Sequence, residues 1–165
     1  AHNPSLSADG KNLTFAFSND GTMNIGIVDS VGKNFRSLTK FKNGEQCYTP
    51  KWSPDGKTII FGYSQKDNQD IATISVENDS LEMLIVGDDD ERNPIFSLDG
   101  KAIIFSSDKT GIFNLYKYDI STKNIEQITN VLGGAFMPTI NTKGNIAFSS
   151  YTSNGFKINF LEIAS

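Results

Sequence analysis

Pro50-Lys51-Trp52-Ser53-Pro54-Asp55-Gly56-Lys57 decides the fold, because its chemistry returns three more times along the chain. Pro94-Ile95-Phe96-Ser97-Leu98-Asp99-Gly100-Lys101 and Pro4-Ser5-Leu6-Ser7-Ala8-Asp9-Gly10-Lys11 repeat it closely. Pro138-Thr139-Ile140-Asn141-Thr142-Lys143-Gly144 loses the Asp and keeps the Gly. The four prolines are spaced by 46, 44 and 44 residues, so the period covers nearly the whole sequence. A repeat of this length marks units that bury their apolar faces against one another.

Outward from the octapeptide, each unit reads as four short strands. The first carries a large apolar residue two positions after the proline: Leu6, Trp52, Phe96 and Ile140. Pro is tolerated at a strand's first residue or at an edge. Asp-Gly then supplies a tight turn, since Gly accepts positive φ without a Cβ clash. The second strand is expected to end at Phe15, Phe61, Phe105 and Phe148, before a polar turn. The third alternates, as in Asn114-Leu115-Tyr116-Lys117-Tyr118-Asp119, which puts one face inward. The fourth is expected to end at Leu38-Thr39, Leu84-Ile85 and Ile128-Thr129. No amphipathic helix is expected. Four small sheets cannot each bury both faces alone, but blades stacked around an axis do it for one another. The reading is an all-β propeller domain over 1–165, in four blades of about 44 residues: 3–45, 46–90, 91–133 and 134–165. Trp52 is expected to pack between blades.

Composition narrows the function. The net charge is -4, and Lys and Arg are scattered rather than clustered. Nucleic-acid binding is driven largely by basic side chains neutralising phosphates, so no nucleic-acid partner is expected. No apolar run approaches the roughly 18 residues of a membrane span, so direct membrane insertion is not expected either. Cys47 is the only cysteine; it forms no internal disulfide and reads as a small packing residue.

The usual catalytic sets are incomplete. His2 is the only histidine and lies at the chain's start, where fraying is expected. A Ser-His-acid hydrolase or a His-based metal site would depend on it. No G-x-S-x-G sequence occurs, and one Cys cannot build a thiolate metal site. No catalytic residue, metal ligand or cofactor is assigned. Asp9, Asp55 and Asp99 occupy equivalent turns of neighbouring blades and read as turn-stabilising carboxylates, as do Asp29 and Asp119. Asp88-Asp89-Asp90-Glu91 is the densest charge cluster. It lacks the EF-hand pattern and reads as a flexible, solvated acidic loop, with calcium or a basic partner as the alternative.

One end of the propeller is the better candidate. The connections between blades open on the same end as the turns between second and third strands. Two positions before each proline stand His2, Tyr48, Arg92 and Phe136. Aromatic and Arg side chains are favoured interface anchors. Tyr48, Arg92 and Phe136, with Asp88, Asp89, Asp90 and Glu91, are therefore the expected partner-binding residues, converging on one mouth near the central opening. Packing between blades is the alternative for Tyr48 and Phe136.

The unit P-x-[large apolar]-S-x-D-G-K-x-[I/L]-x-F, a polar Gly turn, an alternating strand ending in Asp and a closing Leu-Thr together resemble the TolB-type WD-like propeller repeat. The resemblance covers residues 3–163, and Trp52-Ser53-Pro54-Asp55-Gly56-Lys57 matches its motif best. It implies a propeller that more often has six or seven blades than four. It implies a non-catalytic protein-interaction module in a bacterial periplasmic or otherwise extracytoplasmic protein. The partner would be another protein or another domain of the parent chain. The alternatives are the access-restricting propeller of a prolyl-oligopeptidase-type peptidase, or a metal- or glycan-binding propeller. The fourth copy closes near Ile158-Asn159-Phe160-Leu161-Glu162, a third strand, so a portion of a larger propeller is expected. A three-stranded last blade, or two chains joined in one ring, would also fit.

Overall fold

A computed structural model describes residues 1–162. Fifteen strands form four antiparallel sheets, and no helix occurs among the described residues. Blade 1 holds β1 (His2–Leu6), β2 (Asn12–Asn19), β3 (Thr22–Asp29) and β4 (Arg36–Ser37). Blade 2 holds β5 (Gln46–Trp52), β6 (Thr58–Ser64), β7 (Asp70–Ser75) and β8 (Leu81–Ile85). Blade 3 holds β9 (Glu91–Phe96), β10 (Ala102–Ser107), β11 (Asn114–Asp119) and β12 (Ile125–Gln127). Blade 4 holds β13 (Ala135–Ile140), β14 (Ile146–Thr152) and β15 (Gly155–Leu161). Each sheet meanders in sequence order. The second strands run past Phe15, Phe61, Phe105 and Phe148, because pairing with the third strands continues to the turn. The fourth strands of blades 1 and 3 stop before Leu38-Thr39 and Ile128-Thr129, where side chains replace ladder bonds.

Three copies of S-x-D-G-K build the same turn. Ser7, Ser53 and Ser97 hydroxyls donate to Asp9, Asp55 and Asp99 at 2.7, 2.6 and 2.7 Å. The same Asp oxygens accept the Lys11, Lys57 and Lys101 N–H groups, each at 3.1 Å. These hydrogen bonds, the Ser hydroxyl's first, hold all three carboxyls below the usual range. Gly10, Gly56 and Gly100 complete the turn at φ of +71°, +70° and +70°, where a side chain would be strained.

The core lies between blades. Ile25 and Ile27 of blade 1 pack on Cys47, Ile59, Phe61, Ala72 and Ile74 of blade 2. Ile60, Ile71 and Ile85 of blade 2 pack on Ile103, Phe105, Tyr116 and Tyr118 of blade 3. Ile95, Ile104 and Leu115 of blade 3 pack on Ala135, Ile146 and Phe148 of blade 4. Trp52 sits half-buried against the first cluster and its indole N–H donates to the Ser5 carbonyl at 2.9 Å, joining blades 1 and 2. Cys47 is buried and its thiol is pushed up to about 12 by burial first and the Glu45 charge second, so it is a packing group.

Candidate functional site

The first strands share a bulge that sets the central opening. Asn3, Thr49, Asn93 and Met137, each immediately before the repeat proline, adopt φ of 50°, 45°, 52° and 52°. The pairing of each first strand with its second slips at this place. A bulge bends a strand and re-aims its side chains. These four residues line a cavity of about 580 Å³ on the axis, together with Trp52 and Phe96. Tyr48, Arg92 and Phe136 do not line it. Strict alternation would have kept them beside the opening; the bulge gives that place to the next residue.

The structure instead joins them along one end of the propeller. Tyr48 and the Gln69 amide oxygen both lie over Gly62, where an added Cβ would meet Gln69 Oε1 at 3.0 Å and Tyr48 Cβ at 3.4 Å. The Gln69 N–H donates to Asp90 Oδ1 at 3.1 Å. Asp90 Oδ2 accepts from Arg92 Nε at 2.9 Å and also pairs with Arg92 Nη2. The Arg92 guanidinium lies 5.0 Å from the centre of the Phe113 ring, within cation–π range. Phe113 meets Phe136 at 5.1 Å between centroids, and Phe136 meets Phe156 at 6.5 Å. A continuous run thus crosses blades 2, 3 and 4. Gln69 and Phe113 were missed in the sequence because both stand in second-to-third-strand turns; the signal available was their common place just before β7 and β11.

The acidic segment is not the flexible, solvated loop expected. Asp88 is exposed, but the Asp89 carbonyl accepts from the Asn68 amide at 3.1 Å. The Asp90 N–H donates to Asp108 Oδ1 at 2.9 Å. Glu91 opens β9 and is only 5% exposed, with Oε2 buried and unpartnered. Its place in the repeat is that of Cys47 and Ala135, which face the blade interior. Burial pushes its carboxyl up to about 7, against a Ser107 hydrogen bond that lowers it. Among the described residues no group of three His, Cys, Asp or Glu is placed to hold a metal ion. His2 is exposed and pairs with Ala16 in β1 rather than fraying.

A second device was also missed. The Asn114 amide oxygen accepts from the Thr129 hydroxyl at 3.0 Å and the Val131 N–H at 2.9 Å, bracing β11 to the chain beyond β12. Asn24 does the same for Thr39 and Phe41, each at 2.8 Å. In blade 2, which has no Thr at that place, Asp70 accepts from the Gly87 N–H at 3.3 Å.

The repeat, the meandering blades and their interleaved cores agree with a comparison across known families, in which residues 4–165 match the TolB beta propeller domain. The chain belongs to that family. An uncharacterised protein of Agrobacterium fabrum is 27% identical over 137 residues, 82% of this chain and 46% of the relative. The Tol-Pal system protein TolB of Hydrogenovibrio crunogenus is 29% identical over 92 residues, 56% of this chain and 20% of that protein. The structure of a putative TolB from Agrobacterium tumefaciens superposes with a TM-score of 0.87 at 21% identity, covering 99% of this chain and 61% of that one; this likeness is one of fold. The TolB-family chain described here spans half or less of the length of these curated relatives.

Proposed function

We propose that this TolB-type propeller is a non-catalytic protein-interaction module of a bacterial extracytoplasmic protein. Its contact surface is the end carrying Tyr48, Arg92, Phe113 and Phe136. The observation that supports this reading is the continuous run across three blades, in which an Arg is fixed by Asp90 and laid against an aromatic ring. Half-exposed rings beside a pre-ordered guanidinium offer apolar burial and directed hydrogen bonds at little ordering cost. Asp88, exposed beside them, adds charge at the rim, where it would act on association rate. The name of the relative in the Tol-Pal system supports a protein partner over a small substrate.

Proteins of the Tol-Pal system are the first probes. Binding kinetics should show Arg92→Ala and Phe136→Ala raising the dissociation rate about tenfold or more, as interface anchors do. Asp88→Asn should alter mainly the salt dependence of association. If Asp55→Ala and Asp99→Ala, in turns at the opposite end, abolish binding in folded protein while the first pair do not, the contact surface is misplaced. Turnover of peptide or ester substrates that survives replacement of His2 would overturn the non-catalytic part.

A further inference from the structure

Arg36 links blades 1 and 2 at the end of the Asp-Gly turns. It stands on β4, opposite Ile27 of β3. Its Nη1 donates to Asp79 Oδ1 at 2.8 Å, and its Nη2 donates to the Val76 carbonyl. Both acceptors belong to the turn between β7 and β8. The guanidinium therefore crosses from one blade to the next, where a backbone carbonyl and a carboxylate seat it.

Strand pairing locates the equivalent place between blades 2 and 3. Ile27 pairs with Arg36, Thr73 with Glu82 and Lys117 with Glu126, so Glu82 stands on β8 where Arg36 stands on β4. Val76 and Ile120 match as well: each donates its N–H to the Lys carbonyl of its own blade's Asp-Gly turn, Lys57 and Lys101. No basic side chain lines this second place. A groove of about 350 Å³ remains, floored by Pro54, Phe96 and Ile120 and edged by Asp55, Glu82 and Asp99. Asp55 and Asp99 each use Oδ1 in their own turn, which leaves Oδ2 without a hydrogen bond among the described residues. The Ile120 carbonyl accepts none among them either. Lys123 stands where Asp79 stands, yet no ion pair among the described residues includes Asp55, Glu82 or Asp99. The groove holds the acceptors of an arginine seat, and the chain supplies no arginine to it.

We propose that this groove is a docking site for one arginine side chain of a partner polypeptide, separate from the end carrying Tyr48, Arg92 and Phe136. Charge complementarity identifies the occupant: three carboxylates around apolar surface disfavour an anion and leave a neutral ligand without a charged donor for them. A guanidinium matches the groove better than an ammonium. It is planar and weakly hydrated, so its face can rest on the Phe96 ring while its N–H groups reach acceptors in two directions, as those of Arg36 do. The apolar floor covers the methylene stem. The volume lies at the low end of ligand clefts and suits one long side chain. Phe96 in the place of Trp52 makes the room, since the larger indole fills this position in blade 2 and bonds Ser5 of blade 1.

The test is a titration of the 165-residue chain followed by amide NMR. The probe is a glycine–arginine–glycine tripeptide blocked at both ends, with the lysine and citrulline versions beside it. The arginine peptide should shift the amides of Gly56, Gly100 and Ile120 in a saturable way. The lysine peptide should bind about fivefold more weakly, and the neutral citrulline peptide should shift none of them. Glu82→Arg supplies from the chain itself what Arg36 supplies between blades 1 and 2, and should abolish binding. Glu82→Gln should weaken it about fivefold. Glu126→Arg makes the same change of charge outside the groove and should leave binding unchanged. The proposal falls if the citrulline peptide shifts these amides as strongly as the arginine peptide, or if Glu82→Arg still binds. It falls equally if Glu126→Arg weakens binding as much as Glu82→Arg, since net charge alone would then account for the shifts. Saturable shifts confined to the Tyr48 end would overturn it as well. Free arginine binding about tenfold more tightly than the blocked peptide would make the occupant a small molecule and overturn the polypeptide partner.

Discussion

Glu91 places a carboxyl where blades 2 and 4 place Cys47 and Ala135, and its cost should be readable in the pH dependence of stability. Its folded pKa, pushed up to about 7 by burial, lies above its ordinary 4.5. Between those values the folded protein binds more protons than the unfolded chain, so stability falls as pH rises through the window and is level again above it. The full separation corresponds to about 3 kcal/mol. Water entry and relaxation around a buried charge reduce this, so we expect a loss of about 2 kcal/mol between pH 4.5 and 8. Asp70, also raised by burial, adds a smaller loss of the same sign. Asp9, Asp55, Asp99 and Asp119 are all lowered, Asp119 to about 2 through its Ser121 and Thr122 hydrogen bonds, so their titration falls below the window. Urea unfolding at pH 5 and pH 8 measures the difference. Glu91→Gln removes the charge and should abolish most of the slope, leaving the variant more stable than the parent at pH 8 and near it at pH 5. A parent with equal stability at both pH values, or a Glu91→Gln variant less stable at pH 8 by more than about 1 kcal/mol, would show that the carboxylate is satisfied as an ion and that the reasoning is wrong.

Trp52→Ala should cost about 2 kcal/mol, less than the 3–5 of a fully buried Trp, and lower Tm by about 5 °C in scanning calorimetry; Trp52→Phe, losing mainly the bond to Ser5, should cost about 1 kcal/mol. No measurable cost for Trp52→Phe would remove the inter-blade hydrogen bond from the account. Asn114→Ala and Asn24→Ala should each cost about 2–3 kcal/mol in chemical unfolding, because each strands a backbone N–H and a Thr hydroxyl, whereas Asp70→Asn should be neutral or stabilising at pH 8. A loss at Asp70→Asn as large as at Asn114→Ala would show that blade 2 needs the Asp70 charge.

The octapeptide around Trp52 made the fold legible because its turn is closed by local groups. Ser53, Asp55, Gly56 and Lys57 bond within themselves, so identical residues in three blades guarantee identical backbone. The Asn24 and Asn114 braces depend on partners 15 residues away and on a Thr that blade 2 lacks, so no short motif shows them. The candidate surface was partly legible for a related reason. Its residues share one distance from the proline, and that common distance puts Tyr48, Arg92 and Phe136 along one run of contacts.

What distance from the proline could not supply was rotation about the strand. One residue at positive φ changes which neighbour meets the axis, and Asn, Thr, Asn and Met at that place share no side-chain chemistry that would announce it. Asn tolerates the left-handed region, but a β-branched Thr does not, so Thr49 is held there by the fold and not by its own preference. The bulge is therefore a property of the blade rather than of any one sequence. Its effect is to divide the first strand's labour. Asn3, Thr49, Asn93 and Met137 shape the axial cavity, while Tyr48, Arg92 and Phe136 are released to pack against the turns of their own and neighbouring blades. Glu91 completes the pattern one residue earlier, where the strand faces the interior; of the four consecutive acids it is the one whose charge the fold opposes, and Asp88 the one left exposed.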